Sequence, residues 1–290
     1  MTALPALPLT RRERGKTWRR FTANRLGVAG LAVVALLTVL ALLAPYIAPF
    51  NPARQDFSAL LQPAGAAHWL GTDELGRDTL TRVLYGARIS LSAGLVSVAL
   101  ALLVGTLLGL VAGFVGGALD ELIGRFIDAL LAFPFLILAI TLAAILGPSL
   151  QNTMLAIAIV TTPAFARVTR AQVLAQRELE YVQAAGALGA GSARTLLRHI
   201  LPNISAALIV QTSLAIAEAV LAESTLSFLG LGVQPPTPSW GSMLNTARGY
   251  LQTAPWLALA PGVIIFLTVL AFNLLGDGLR DALDPRSRTK

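Results

Sequence analysis

The sequence predicts an all-α polytopic membrane protein with six transmembrane helices, and three observations carry that prediction. Only 13% of the 290 residues are charged and 55% are hydrophobic, against about 25% charge in an average soluble domain. Mean hydropathy is +0.70. The charges are also excluded from long runs, each able to supply the roughly 20 apolar residues that a spanning helix needs. This composition excludes an ordinary soluble enzyme and a disordered chain.

The elements follow in order. Residues 1–26 form a basic amino-terminal segment, and the uncharged stretch from Leu26 to Ala53 supplies a first helix at 27–46. A basic segment before an apolar run is also the pattern of a secretory signal, whose apolar part spans about 7–15 residues. Here the run is longer and five spans follow, so the helix is read as uncleaved. After an outer loop at 47–89, the uncharged run from Ile89 to Leu119 supplies a helix at 90–114. Ala129 to Ala166 carries no charge but is interrupted by Gly147-Pro148-Ser149, which predicts helices at 123–146 and 150–171 joined by a tight hairpin. Helices at 204–230 and 256–276 complete a five-helix core over 90–276, leaving a loop at 177–203 and a tail at 277–290.

Lys and Arg set the orientation. The amino-terminal segment, the 2–3 loop, the 4–5 loop and the carboxyl tail hold 17 of them, and the opposite face holds five: Arg54, Arg77, Arg82, Arg88 and Arg248. Both termini and the 4–5 loop are therefore expected in the cytoplasm.

Helix two carries a small residue at every fourth position: Ala93, Ser97, Ala101, Gly105, Gly109, Gly113 and Gly117. That spacing stacks them on one stripe, where another helix can approach closely. Three acids, Asp128, Glu218 and Glu223, fall in or near the hydrocarbon, where a charge is costly unless it meets water or a partner. Asp128 is expected to be solvated or paired with Arg125. Measured from Asn203, Glu218 lies about 22 Å and Glu223 about 30 Å along the fifth helix. Glu218 is read as a translocation-pathway residue; for Glu223, interfacial solvation and a pathway role stand side by side.

Several chemistries are excluded. The chain has no cysteine and only two histidines, His68 and His199, so disulfides, thiolate sites and a histidine-rich metal site are out of reach. The pI near 10.7 does not signal nucleic acid, because the basic residues are segregated by topology. Gly15-Lys16-Thr17 looks like the end of a phosphate-binding loop, but the position of its first glycine is Thr10. There is no Gly-x-Ser-x-Gly and no H-E-x-x-H, and the two histidines fall on opposite faces. No catalytic, cofactor-binding or metal residue is therefore assigned.

The 4–5 loop is the informative segment. Glu178 to Leu188 is mostly helix-forming, Gly189-Ala190-Gly191 breaks it, and Ser192 is placed to cap a second short helix ending before Pro202. Arg194 and Arg198 line one side of that second helix. Gln183-Ala184-Ala185, then Gly189, then Leu201-Pro202 resembles the EAA loop of ABC-importer permeases, with Gln183 in place of the family's usual Glu and His199 in its Ile position. Three further stretches resemble the C-type permease of dipeptide, oligopeptide and nickel importers: Leu70 to Asp78 with Gly86 to Leu91, Leu226 to Gly232 with Pro235 to Gly241, and Asn273 to Pro285.

The resemblance implies a type I ABC importer permease fold in a bacterial or archaeal plasma membrane, with no cofactor of its own. It implies a homologous B-type permease as heterodimer partner, two cytoplasmic ATPase subunits that hold ATP and Mg²⁺, and an extracytoplasmic solute-binding protein. The solute would be a dipeptide, an oligopeptide, glutathione or a nickel chelate. Gln183, Ala184, Ala185, Gly189, Arg194, Arg198, Leu201 and Pro202 would form the ATPase-coupling loop. The alternative is a self-contained secondary transporter or channel, which usually shows an internal repeat; none is evident between residues 1–145 and 146–290.

Overall fold

The computed structural model describes residues 18–283. The expectations for the basic residues before Trp18 and after Leu283, and for Pro285, lie outside them. Nine helices are labelled here: α1 (Arg25–Ile47), α2 (Thr79–Val115), α3 (Gly117–Leu131), α4 (Phe135–Leu146), α5 (Leu150–Arg177), α6 (Glu180–Ala187), α7 (Ser192–Phe228), α8 (Trp240–Ala247) and α9 (Trp256–Leu283). Five are long and apolar enough to cross a membrane, and α3 with α4 make a sixth candidate.

The expected helix at 123–146 is not one straight rod. It breaks at Ala132-Phe133-Pro134, and α3 and α4 meet at 91°. Proline disfavours helical geometry at the residue before it, and Pro134 starts α4 with extended ψ of 130°. Arg167 and Arg170 of α5 hold Asp128 and Asp120 of α3, at 2.6 and 2.5 Å. Two ion pairs therefore tie α3 to the later half of α5. Asp128 does not pair with Arg125, which instead meets Glu121.

The second helix begins at Thr79, well before the expected residue 90, because Asp78 caps it by accepting from the Thr81 backbone N–H at 2.8 Å. Its small-residue stripe packs on α5: a Cβ added at Gly105, Gly109 or Gly113 would stand 2.5–2.8 Å from side chains of Phe165, Thr169 or Val173. Gly117 lies past the end of α2, and a Cβ added there would meet nothing.

Residues 48–78 fold as a cap over the start of α2. Asp73 accepts from Arg77 Nε at 2.6 Å and faces Arg82 Nε at 3.4 Å, and His68 Nδ1 meets Asp78 at 2.9 Å. Burial, reinforced by Asp73, pushes the Glu74 carboxyl above its usual range. Gly76 at φ 70° lies against the Asp56 backbone, where no side chain fits. Across the bundle, α8 is pinned by the fully buried Trp240, which donates from Nε1 to the Val83 carbonyl at 3.0 Å. Gly27 and Gly30 of α1 press on Gly278 and Ala271 of α9, and Asn24 donates to Asp281 at 3.0 Å.

Candidate functional site

The loop between α5 and α7 is built by two local devices. The first is the end of α6. Gly189 adopts φ 82°, the Ala190 N–H reaches Ala185 O at 3.0 Å, and the Gly189 N–H reaches Gly186 O at 2.9 Å. This pair of bonds is the Schellman motif, which reverses the chain at a residue in left-handed geometry. Space around Gly189 is open, so backbone conformation alone demands glycine there.

The second device corrects two expectations. Ser192 does not cap a separate helix: Gly191 precedes it without a side-chain cap bond, and Ser192 is the first helical residue. That helix also does not end before Pro202. The chain continues through a π turn at Thr195–Ile200 straight into the membrane portion of α7. Proline lacks the N–H that an α-helical ladder needs, and a π turn supplies the change of register just before it. Leu201-Pro202 thus joins the loop rigidly to a spanning helix.

Buried contacts anchor the loop. Val182, Thr195 and Ile200 are buried. The Tyr181 hydroxyl donates to Gln176 Oε1 at 2.5 Å and accepts from Asn203 Nδ2 at 3.0 Å, and that Nδ2 also donates to His199 O at 2.6 Å. Burial pushes the Tyr181 hydroxyl up from its usual value, so it remains a neutral donor. Tyr181 and Asn203, which tie α6 to the ends of α5 and α7, were missed by sequence reasoning. The available signal was a lone aromatic in an otherwise alanine-rich helix.

The opposite face is exposed. Gln183, Ala184, Gly189, Arg194, Arg198 and Pro202 all reach solvent, while Ala185 and Leu201 are half-buried. Leu188 is 89% exposed at the tip. Small alanines, a protruding leucine and two arginines form a low surface with a positive edge, a shape suited to a groove with acidic margins. Among the described residues, no group of three His, Asp or Glu could hold a metal ion.

The two candidate pathway acids differ. Glu218 is exposed on α7, and among the described residues it forms no ion pair. Glu223 is fully buried and accepts from Ser227 Oγ at 2.7 Å, with Ser90, Ser224 and Ser239 around it. The expected interfacial solvation of Glu223 is therefore not met: its carboxylate lies inside the chain between α2, α7 and α8.

Comparison with known proteins decides what this loop belongs to. The family model described as binding-protein-dependent transport system inner membrane component matches residues 105–289, which is more than half of the chain and includes the entire loop. The chain belongs to that family. A second model, the N-terminal TM domain of oligopeptide transport permease C, matches residues 15–64. The permease is 50% identical to the di/tripeptide transport system permease protein of Pseudomonas aeruginosa, over 93% of this chain and 91% of that protein. It is 47% identical to the dipeptide transport system permease protein of Haemophilus influenzae, over 99% and 97%. It is 45% identical to the glutathione transport system permease protein of Pectobacterium atrosepticum, over 99% and 97%. The permease is thus a multi-pass inner-membrane subunit of a binding-protein-dependent importer.

Proposed function

We propose that the permease forms half of the channel of an ATP-driven importer of di- and tripeptides, and that the loop over 177–203 receives the motion of separate ATPase subunits. The observation that carries this reading is the rigid connection at Leu201-Pro202: a helix-turn-helix with an exposed low face runs without interruption into a spanning helix. A ligand shifts a conformational equilibrium only through contacts that differ between its states, and such a connection lets ATP-dependent contacts at the loop bias the orientation of α7. Gln183, Ala184, Ala185 and Gly189 present the face, Arg194 and Arg198 its charged edge. ATP and Mg²⁺ belong to the ATPase subunits.

A homologous permease completes the channel, and a solute-binding protein delivers cargo at the cap end, which faces outward while both termini face the cytoplasm. The peptide assignment rests on relatives named for di/tripeptide and dipeptide transport. A competition assay tests it: in cells whose peptide uptake depends on this chain, unlabelled di- and tripeptides should suppress uptake of a labelled dipeptide. Suppression by glutathione alone would move the assignment to glutathione, and absence of dipeptide uptake would reject it.

A further inference from the structure

Near the cap end, α1, α2 and α9 leave a cavity of about 660 Å³, within the range of about 300–1,000 Å³ typical of small-molecule sites. It opens sideways on the bundle surface, because Thr38, Leu42, Arg88 and Leu95 on its rim are exposed, while Ala41 and Leu91 line it and are buried. Its walls are mostly apolar. The Thr38 and Ser92 hydroxyls donate to the Val34 and Ile89 carbonyls, at 2.8 and 2.9 Å, so neither proton is free to donate to a ligand, and Thr237 adds a third hydroxyl to the lining.

Two groups at the rim differ. Among the described residues, Arg88 forms no ion pair, and Tyr85 stands one turn before it on α2. Leu42, in the same cavity, lies about 7.5 Å below the end of α1, and Val34 lies about 12 Å deeper, from 1.5 Å of rise per residue. Arg88 is the last charge before the uncharged run from Ile89 to Leu119, which puts it near the membrane boundary on the cap side, where its long stem can carry the guanidinium to the headgroup level. The slot beneath it runs into the hydrocarbon.

We propose that this cavity binds one phospholipid of the cap-side leaflet, an acyl chain in the slot and the phosphate on Arg88 and Tyr85. Guanidinium matches a phosphate through two parallel N–H donors, and a phospholipid places that phosphate at the depth of Arg88. The apolar lining, the lateral opening and the unpaired cation all select an amphiphile with an anionic head.

The test is native mass spectrometry of the permease purified with its transporter partners, delipidated and titrated with phosphatidylglycerol. Bound lipid should fall at least about tenfold in Arg88→Gln and by less in Arg88→Lys, which keeps the charge but loses the fork. Thr38→Trp, which fills the slot from an exposed position, should lose the lipid without loss of assembly. Equal lipid retention in the wild-type and Arg88→Gln complexes would overturn the proposal. So would unchanged retention with a smaller yield of assembled complex, which would make the cavity a protein interface.

Discussion

At the scale of single residues, the loop depends on Gly189 for its conformation and on Tyr181 for its anchorage. Gly189→Val would force a β-branched side chain into φ near 82°, a geometry that costs about 1–3 kcal/mol for such residues. The expected outcome is normal insertion, retained ATP hydrolysis and peptide uptake reduced about tenfold or more; normal uptake at normal abundance would remove Gly189 from the mechanism. Glu218 is the exposed acid of α7. If it faces the water-filled pathway, Glu218→Gln should leave assembly intact and lower uptake of cationic peptides more than of anionic ones, because a carboxylate concentrates positive solutes. A smaller heterodimer yield would show instead that it pairs with a group in the partner permease. The fate of Glu223 was not legible in the sequence: Ser224 and Ser227 are its neighbours on α7, but Ser90 and Ser239, which close the site, come from α2 and the start of α8, far away along the chain.

At the scale of elements, packing of small residues holds the bundle. Between α2 and α5, Gly109 leaves no room for a side chain: an added Cβ would stand 2.5 Å from Thr169 Cβ and 2.6 Å from Ala166 O. Gly109→Leu should destabilise the permease by about 1–3 kcal/mol or more, visible as a lower thermal midpoint. Gly124→Ala, with open space at the site, should leave that midpoint unchanged or raised. A tolerated Gly109→Leu would contradict the α2–α5 seam. Spans were legible because a bilayer demands long apolar runs, and the stripe was legible because small residues recur at helical period. Polarity concealed the rest. The first turns of α2 carry Thr79, Thr81 and Arg82, and α8 is only eight residues long, so neither has the hydropathy of a span. The break between α3 and α4 had a local signal in Phe133-Pro134, outweighed by the continuous apolar run around it.

At the scale of the whole molecule, the account puts the loop end and the cap end on opposite sides of the membrane, and the absence of native cysteine makes this directly measurable. A cysteine at exposed Ser192 should resist a membrane-impermeant thiol reagent in intact cells, and one at exposed Ala66 should react; the reverse pattern would invert the orientation. The central claim is that this channel half is driven through its loop by ATP hydrolysed elsewhere. Uptake of a labelled dipeptide by proteoliposomes holding the complete transporter tests it most directly, with ATP and a proton or sodium gradient supplied separately. The account predicts uptake only with ATP and the solute-binding protein present; uptake driven by an ion gradient without ATP would contradict it.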